Sequence, residues 1–331
     1  MSCFILGAGS AYPDTVISNE LLRELNSNMA SEFSSKDSPI QARRSCLSLK
    51  YLKETKNNDP RNAIAGSEIG SADLGARACS AALEAAKVDP VQIGLVLASC
   101  PTPPEMCPSE AQRICRRLGI KTQAFDVSSA GTDFALQLDF LNKMQDEHFP
   151  EYVLCVATNT MTQVVNYSDP ISGYLFGDCA SAIVVSRRKM GGFKILKSEF
   201  KVETSSNHLG SILPFGHLDR KHEMFESLAF ERVSEQIAKF SLEDGDQVAA
   251  YFIPPVAGAF FGERLAKSQR ISQERFWTLQ RDFGDTGGAN SMAVLSSKWN
   301  VVSEGERVFM PMVGFGFSLG SVALERVSET Q

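Results

Sequence analysis

The sequence is poor in histidine, in tryptophan and in long apolar runs. Only four histidines and two tryptophans occur among its 331 residues, which leaves few side chains that change charge near neutral pH. No apolar stretch approaches the roughly 20 residues that cross a membrane. The N-terminal apolar run is short and lacks the basic residues of a signal peptide. The chain is therefore expected to have no membrane span and to reside in the cytoplasm.

Net charge and cysteine spacing exclude further classes. Lysine and arginine number 33 against 39 acidic residues, a formal charge of −6, whereas nucleic-acid binding usually needs a basic surface. None of the eight cysteines forms a C-x-x-C pair, so neither zinc nor a disulfide framework is expected. Buried free thiols in a reducing compartment account for them best. We expect no bound metal and no nucleic-acid partner.

Segments of strand and helix periodicity alternate along the chain, which is typical of α/β layers. The expected strands are 4–6, 93–98, 125–127, 152–157, 182–186, 248–253, 308–313 and 321–325. The expected helices are 19–25, 71–87, 107–118, 132–144, 259–267 and 287–297. Because the order of elements repeats, we predict two similar halves, 1–186 and 187–331, with a polar and less periodic join at 187–245.

Five short motifs follow one another over the length of the chain. They lie at 5–13 (ILGAGSAYP), 98–109 (ending in Pro-Ser), 126–134 (DVSSAGTDF), 176–180 (FGDCA) and 314–323 (GFGFSLGSVA). In this order they resemble the motifs of the β-ketoacyl-ACP synthase III branch of the thiolase superfamily. The resemblance implies a five-layered αβαβα thiolase-like fold made of two similar halves, in a protein that is normally dimeric.

The family's three catalytic positions carry other residues in this sequence. The family has a nucleophilic cysteine, a histidine and an asparagine where this chain has Gly131, Pro255 and Asp285. Glycine has no nucleophile, proline has neither an ionisable group nor a backbone donor, and ionised aspartate only accepts hydrogen bonds. The resemblance therefore implies a homologue without the synthase's chemistry, and whether the chain is an enzyme stays open.

Nearby residues offer only a weak substitute for the absent thiol. Ser129 and Thr132 flank Gly131, but an alcohol needs a nearby base before it can attack. Phe260 falls where the family often has a basic residue that holds the carrier-protein phosphate. Ser129, Thr132 and Phe260 are the residues we expect along a substrate channel. The histidines lie outside the family's histidine motif, and we expect three of them to be exposed: His208, His217 and His222.

Two other features have a structural and a functional interpretation. Residues 27–62 are polar and contain several basic side chains, among them Arg43. A solvated surface loop is the simpler explanation, and a basic lip that attracts the phosphate of coenzyme A or a carrier protein is the alternative. Within the FGDCA motif, Asp178 is expected to cap its turn through backbone hydrogen bonds, and Cys179 to be a small core residue.

Three functions fit this sequence. The first is a catalytically inactive synthase III homologue, the non-catalytic subunit of a heterodimeric ketosynthase or acyltransferase in fatty-acid-like or specialised-metabolite biosynthesis. Its partner would be an active ketosynthase III paralogue or a second copy of itself. The second is an acyl-CoA or acyl-ACP acyltransferase with a repurposed active site, and the third is an acyl-ligand-binding protein. No cofactor is expected, and acyl-CoA or acyl carrier protein would enter as substrate or partner.

Overall fold

A computed structural model describes residues 2–28, 38–169, 171–244 and 250–328. Its strands are β1 (Phe4–Ala11), β2 (Thr15–Ser18), β3 (Ala42–Ser45), β4 (Ile93–Ser99), β5 (Gln123–Asp126), β6 (Tyr152–Asn159), β7 (Cys179–Ser186), β8 (Phe193–Val202), β9 (Gly210–Ile212), β10 (Leu218–Arg220), β11 (Ala250–Phe252), β12 (Arg307–Gly314) and β13 (Ser318–Arg326). Its α-helices are α1 (Asn19–Leu25), α2 (Leu49–Thr55), α3 (Ser71–Ala86), α4 (Glu110–Leu118), α5 (Asp133–Asn142), α6 (Ser172–Leu175), α7 (His222–Asp244), α8 (Phe261–Ser268), α9 (Gln280–Phe283) and α10 (Asn290–Lys298). The expected alternation of strands and helices is therefore present.

Nine strands form one mixed sheet that consists of two similar halves. The strand order is β11-β12-β13-β8-β1-β7-β6-β4-β5. From the centre outward, β1-β7-β6-β4 in the first half matches β8-β13-β12-β11 in the second, with parallel pairing at the outer end and antiparallel pairing near the centre. At the centre of the sheet, β1 pairs with β8 through Phe4 with Lys194 and Ile5 with Phe193. The two similar halves are thus confirmed, and the boundary at 186/187 stays a prediction.

Helices lie on both faces of each half-sheet. α3 and α4 share a hydrophobic core with one face of the first half. α5 and α10 share the central core with strand residues of both halves, such as Val153 and Val308. α7 and α8 pack against the remaining face of the second half. Successive cores therefore separate five layers, αβαβα, as the sequence motifs imply.

The segment 187–245 contains more regular structure than its composition predicts. It holds β8, which has ten residues, and α7, which has 23. The expectation of a less periodic join was wrong, because the buried side chains of α7 recur every three or four residues among many charged ones. These buried residues are Phe225, Ala229, Val233, Ile237 and Phe240.

Candidate functional site

A sharp loop joins β5 to α5 within the motif 126–134. Ala130 has a φ of +50° and Gly131 a φ of +135°, so the chain reverses direction just before α5. The amide N–H of Phe315 donates to the carbonyl oxygen of Ala130 at 3.0 Å. The loop of the first half therefore rests on the turn that connects β12 to β13 in the second half.

Gly131 has no room for a side chain. A Cβ atom at this position would lie 2.7 Å from Cα of Gly314 and 2.9 Å from the carbonyl oxygen of Val313. Its φ of +135° is also a backbone conformation that residues with a side chain rarely adopt. Because the facing atoms belong to the backbone, they cannot rotate away, and the turn itself excludes a thiol or a hydroxyl here.

The carboxylate of Asp133 accepts hydrogen bonds from backbone N–H groups of this loop. It accepts hydrogen bonds from the backbone N–H of Ser129 at 2.7 Å and of Gly131 at 2.9 Å. It also accepts one from the hydroxyl of Ser99 at 2.5 Å. Free N–H groups at a helix N-terminus attract anions, but here an internal carboxylate already uses them. The N–H of Gly131 is therefore not free to stabilise a developing negative charge.

Three sequence-derived positions lie around one narrow cavity. Its volume is about 50 Å³, enough for a few water molecules, since one water needs roughly 10–15 Å³ on the same scale. Both halves of the chain contribute to its walls. The expected positions are Gly131, Pro255 and Asp285, and the polar residues beside them include Asn159, Arg220 and Asn290.

Asp285 and Arg220 give this cavity two buried charges of opposite sign. Burial raises the pKa of the Asp285 carboxyl to about 6, although the Arg220 guanidinium and the N–H of Gly287 oppose that rise. Burial lowers the pKa of Arg220 to about 10. The Arg220 guanidinium lies 4.3 Å from the ring centroid of Phe225 and donates to the carbonyl of Ala257. Asp285 is thus ionised at pH 7.5 and becomes a hydrogen-bond donor only in mildly acidic solution.

Ser129 and Thr132 are absent from the residues that line this cavity. Thr132 is fully buried, and its Oγ1 lies 2.9 Å from Oγ of Ser129 and 2.8 Å from Oγ of Ser318. In the described parts of the chain, neither hydroxyl hydrogen-bonds to a histidine or to a carboxylate. Within the described residues, neither alcohol is therefore hydrogen-bonded to a base.

Phe260 lines a second and wider cavity of about 420 Å³. Ala257 is a lining residue of both cavities. The rim of the second one carries Arg264, whose side chain is 57% exposed and forms an ion pair with Glu226 at 2.7 Å. Ser129 and Thr132 thus lie in the loop before α5, whereas Phe260 lies at this separate cavity. The three residues do not line one channel.

Asp178, Cys179 and Arg43 are all buried in the structure. Asp178 accepts the N–H groups of Cys46 and Thr162 at 2.7 and 2.9 Å, so it is structural, but it joins two other segments and the expected cap of its own turn is wrong. Cys179 is fully buried, as expected of a small core residue. Arg43 is fully buried and donates to Oδ1 of Asn19 at 2.6 Å. Neither a solvated loop nor a basic lip describes Arg43, because the fold turns it inward.

The three histidines differ in exposure. His208 is exposed, whereas His217 and His222 are half-buried, so the expectation of exposure is wrong for the last two. Nε2 of His217 lies 2.7 Å from the carbonyl oxygen of Asn57. Burial and the neighbouring Arg220 lower the pKa of His222 to about 4, which keeps it neutral at pH 7. His222 lines the second cavity.

Sequence reasoning did not single out two charged residues of this region. Asp133 stands where the family motif D-x-x-x-A-C-x-G-F has a glycine, and that departure was the available signal. Arg220 follows a segment that gives no motif, so only the fold brings it to the cavity.

Within the described ranges, no helix has the length and apolarity needed to cross a membrane. The same ranges contain no group of three or more histidine, cysteine or acidic side chains placed to hold a metal ion. Seven of the eight cysteines are buried, Cys107 is exposed, and all eight are free thiols.

Sequence comparison finds similarity to the synthases III. A model of 3-oxoacyl-[acyl-carrier-protein] synthase III matches residues 125–204, from β5 through β8. The β-ketoacyl-[acyl-carrier-protein] synthase III of Chlamydia trachomatis is 25% identical over 99% of this chain and 100% of its own length. The Neisseria meningitidis synthase III is 25% identical over 97% of this chain and 98% of its own.

Comparison with solved structures confirms the thiolase-like fold. The synthase III of Aquifex aeolicus superposes with a TM-score of 0.84 at 23% identity, over 98% of this chain and 99% of its own. That of Pseudomonas aeruginosa has a TM-score of 0.84 at 22% identity and covers both chains fully. Xanthomonas campestris OleA, in a cysteine-to-serine variant with bound lauric acid and lauroyl-CoA, reaches 0.81 at 15% identity over 98% and 99%.

Proposed function

We propose that this chain, a homologue of the 3-oxoacyl-ACP synthases III with their thiolase-like fold, does not catalyse condensation and instead acts as a non-catalytic subunit. Its partner is an active ketosynthase III paralogue, or a second copy of the chain. The assembly would serve fatty-acid-like or specialised-metabolite biosynthesis in the cytoplasm, with acyl carrier protein delivering the acyl group.

The observation that carries this proposal is the backbone contact at Gly131. Backbone atoms of the facing turn leave no space for a nucleophile, and Asp133 takes the N–H of Gly131. Across the cavity, Pro255 offers no donor, and Asp285 is an anion at pH 7.5 because its pKa is about 6. Condensation requires preorganised donors where negative charge develops, and the positions of Pro255 and Asp285 supply none at pH 7.5.

An open sheet edge supports a role in association. β5 is the outermost strand of the first half, and the edge of a sheet presents unpaired N–H and C=O groups to a partner. Phe125 on this strand is 40% exposed, and Phe140 beside it on α5 is 38% exposed. Their rings meet edge to face, with centroids 6.2 Å apart. Exposed apolar rings and an open strand therefore lie together at this edge.

Intact-protein mass spectrometry tests the catalytic half of the proposal. The purified chain is incubated with acetyl-CoA and longer acyl-CoAs, and an active synthase III serves as positive control. We expect no covalent acyl adduct on this chain. A stable adduct that maps to Ser129 or Thr132 would favour the repurposed acyltransferase.

Co-expression tests the subunit half. The chain is produced with the ketosynthase III whose gene lies nearest to its own, and complexes are sized by gel filtration with light scattering. We expect either a heterodimer, in which the partner supplies the catalytic cysteine, or a homodimer without condensing activity. A chain that stays monomeric at all concentrations, alone and with such a partner, would contradict this role.

The second cavity favours acyl-ligand binding as the alternative. Its 420 Å³ and its apolar residue Phe260 suit an acyl or pantetheine-like chain, and the exposed Arg264 at its rim suits a phosphate. OleA, on the same fold, was solved with lauric acid and lauroyl-CoA bound. Native mass spectrometry of the freshly purified chain distinguishes this alternative, since it predicts a co-purified acyl compound.

A further inference from the structure

Arg220 is a buried cation that lacks a full set of partners. It is 7% exposed, and its Nε has no hydrogen-bond partner among the described residues. Within those residues no carboxylate forms an ion pair with it at 4.0 Å or less. Buried charges are normally paired and hydrogen-bonded, because removing them from water is costly. The missing partner of Arg220 is therefore an acceptor, preferably an anionic one.

The cavity beside Arg220 offers further polar groups and otherwise apolar walls. One carboxylate oxygen of Asp285 accepts the N–H of Gly287 at 2.8 Å. Asn290 donates to the carbonyl of Pro254 at 3.0 Å, and Asn159 to that of Gly177 at 3.2 Å. The apolar part of the lining comes from Phe225, Pro255, Val256, Met312, Val313 and Phe315. A few placed polar groups within apolar walls are typical of small-molecule sites.

We propose that this cavity binds a carboxylate of two to four carbon atoms, whose oxygen accepts a hydrogen bond from the Arg220 guanidinium in the cavity wall. Charge-assisted hydrogen bonds of this type are roughly twice as strong as neutral ones. The volume of about 50 Å³ admits a short carbon chain and excludes a fatty-acyl chain. The inference goes beyond the subunit role, since it holds whether or not the chain pairs with a ketosynthase.

Asp285 determines which short carboxylates bind best. It shares the cavity with Arg220, and its pKa of about 6 leaves it ionised at pH 7.5. An anion without any donor is repelled by this carboxylate. A hydroxy acid or an amino acid can present a hydroxyl or an ammonium group to Asp285 while its carboxylate contacts Arg220.

Calorimetric titration at pH 7.5 with propionate, lactate, alanine and neutral propionamide tests the site. We expect at least one carboxylate to bind the wild-type chain. Propionamide should bind at least tenfold more weakly than that carboxylate, since a charged hydrogen bond is worth a factor of about ten or more in affinity. Arg220→Met should weaken carboxylate binding by about tenfold to a hundredfold. Arg117→Met, on α4 and outside the lining of both cavities, is the control and should leave the affinity unchanged.

Asp285→Asn keeps the test decisive if Arg220→Met does not fold. Removing the negative charge should tighten propionate binding several-fold and weaken alanine binding. The site would be refuted if no carboxylate bound the wild-type chain, or if propionamide bound as well as the carboxylate that binds best. Unchanged affinities for all four compounds in Asp285→Asn would equally refute it, because the ligand would then lie outside this cavity.

Discussion

Position 131 can be tested by giving it a side chain. Gly131→Cys should destabilise the chain by about 2–4 kcal/mol, because the new Cβ meets the backbone of Gly314 and the residue must keep a positive φ. The variant should also gain no condensing activity, since Pro255 and Asp285 remain. Urea unfolding and a radiolabelled malonyl assay measure the two effects.

Gly305 is the control that separates the cost of crowding at a new Cβ from the cost of a positive φ. Gly305 also has a positive φ, of +80°, but a Cβ there would meet nothing within 4 Å. Gly305→Ala should therefore cost only about 1–2 kcal/mol. If Gly131→Cys cost no more than Gly305→Ala, or yielded a working synthase, the contact at Gly131 would not decide the chemistry.

Asp285 makes stability depend on pH in an unusual direction. An unfolded aspartate has a pKa of about 3.9, whereas burial holds that of Asp285 at about 6. Between these values the folded chain binds more protons than the unfolded one, so the free energy of unfolding falls as pH rises. The cost of the buried charge is complete above pH 6, where it amounts to about 3 kcal/mol. The attraction of Arg220 is already contained in that pKa.

Asp285→Asn should remove this dependence. The neutral amide resembles the protonated acid, so the variant should be more stable than the wild type by about 2–3 kcal/mol at pH 7.5. The difference should nearly vanish near pH 4. Burial also raises the pKa of Asp178 to about 6. Because Asp178 is present in both proteins, its contribution cancels from the difference in stability. Denaturant unfolding at both pH values measures the gap, and a gap that does not change with pH would contradict the pKa of Asp285.

At the scale of elements, the start of α5 depends on a fit between Asp133 and Gly288. A Cβ on Gly288 would lie 1.8 Å from Oδ2 of Asp133, so the small residue before α10 makes room for the carboxylate that holds the loop before α5. Gly288 has no positive φ, which allows alanine there as a test of space alone.

A double-mutant cycle measures that fit. Asp133→Ala should cost about 2–4 kcal/mol through unsatisfied N–H groups, and Gly288→Ala at least as much through overlap. Asp133→Ala with Gly288→Ala should cost less than the sum, by about 1–3 kcal/mol. Asp133→Asn, which keeps the size of the side chain, should give no such relief. Additive values from urea unfolding would show that the two residues do not compete for the same space.

The strands that the sequence predicted best are those with uninterrupted apolar runs. Strands such as β4 and β6 are buried on both faces, so their apolar runs were recognised. β8 alternates lysines with apolar residues, and α7 carries charges between its buried positions. In both elements the apolar residues recur regularly, but the polar residues between them obscured that pattern.

At the scale of the whole molecule, the open edge of β5 predicts association. Phe125→Glu places a charge on that edge, where pairing with another chain requires desolvation. It should weaken dimerisation by about tenfold or more and leave the monomer folded, which gel filtration with light scattering and circular dichroism can show. Phe215→Glu is the control, because Phe215 is 76% exposed on the turn between β9 and β10. Equal weakening by both changes would place the interface elsewhere.

The fold could be predicted from sequence further than the site could. The order of the motifs predicted the five layers and the two similar halves, because each motif marks a turn beside a strand of the fold. It also placed Gly131, Pro255 and Asp285 around one cavity. It could not give Arg220, which enters from a distant strand, nor the crowding at Gly131. Both depend on tertiary distances that no local pattern records.

The contact between Gly131 and the Val313–Gly314 backbone also affects how this protein can change over time. A single codon change to cysteine at position 131 yields a strained chain, because the facing turn occupies the volume that the thiol would need. The turn, which belongs to the other half of the molecule, would have to move first, and that movement brings no catalytic benefit while glycine remains. The two halves thus constrain each other here, and acquiring a nucleophile at position 131 requires at least two coordinated changes.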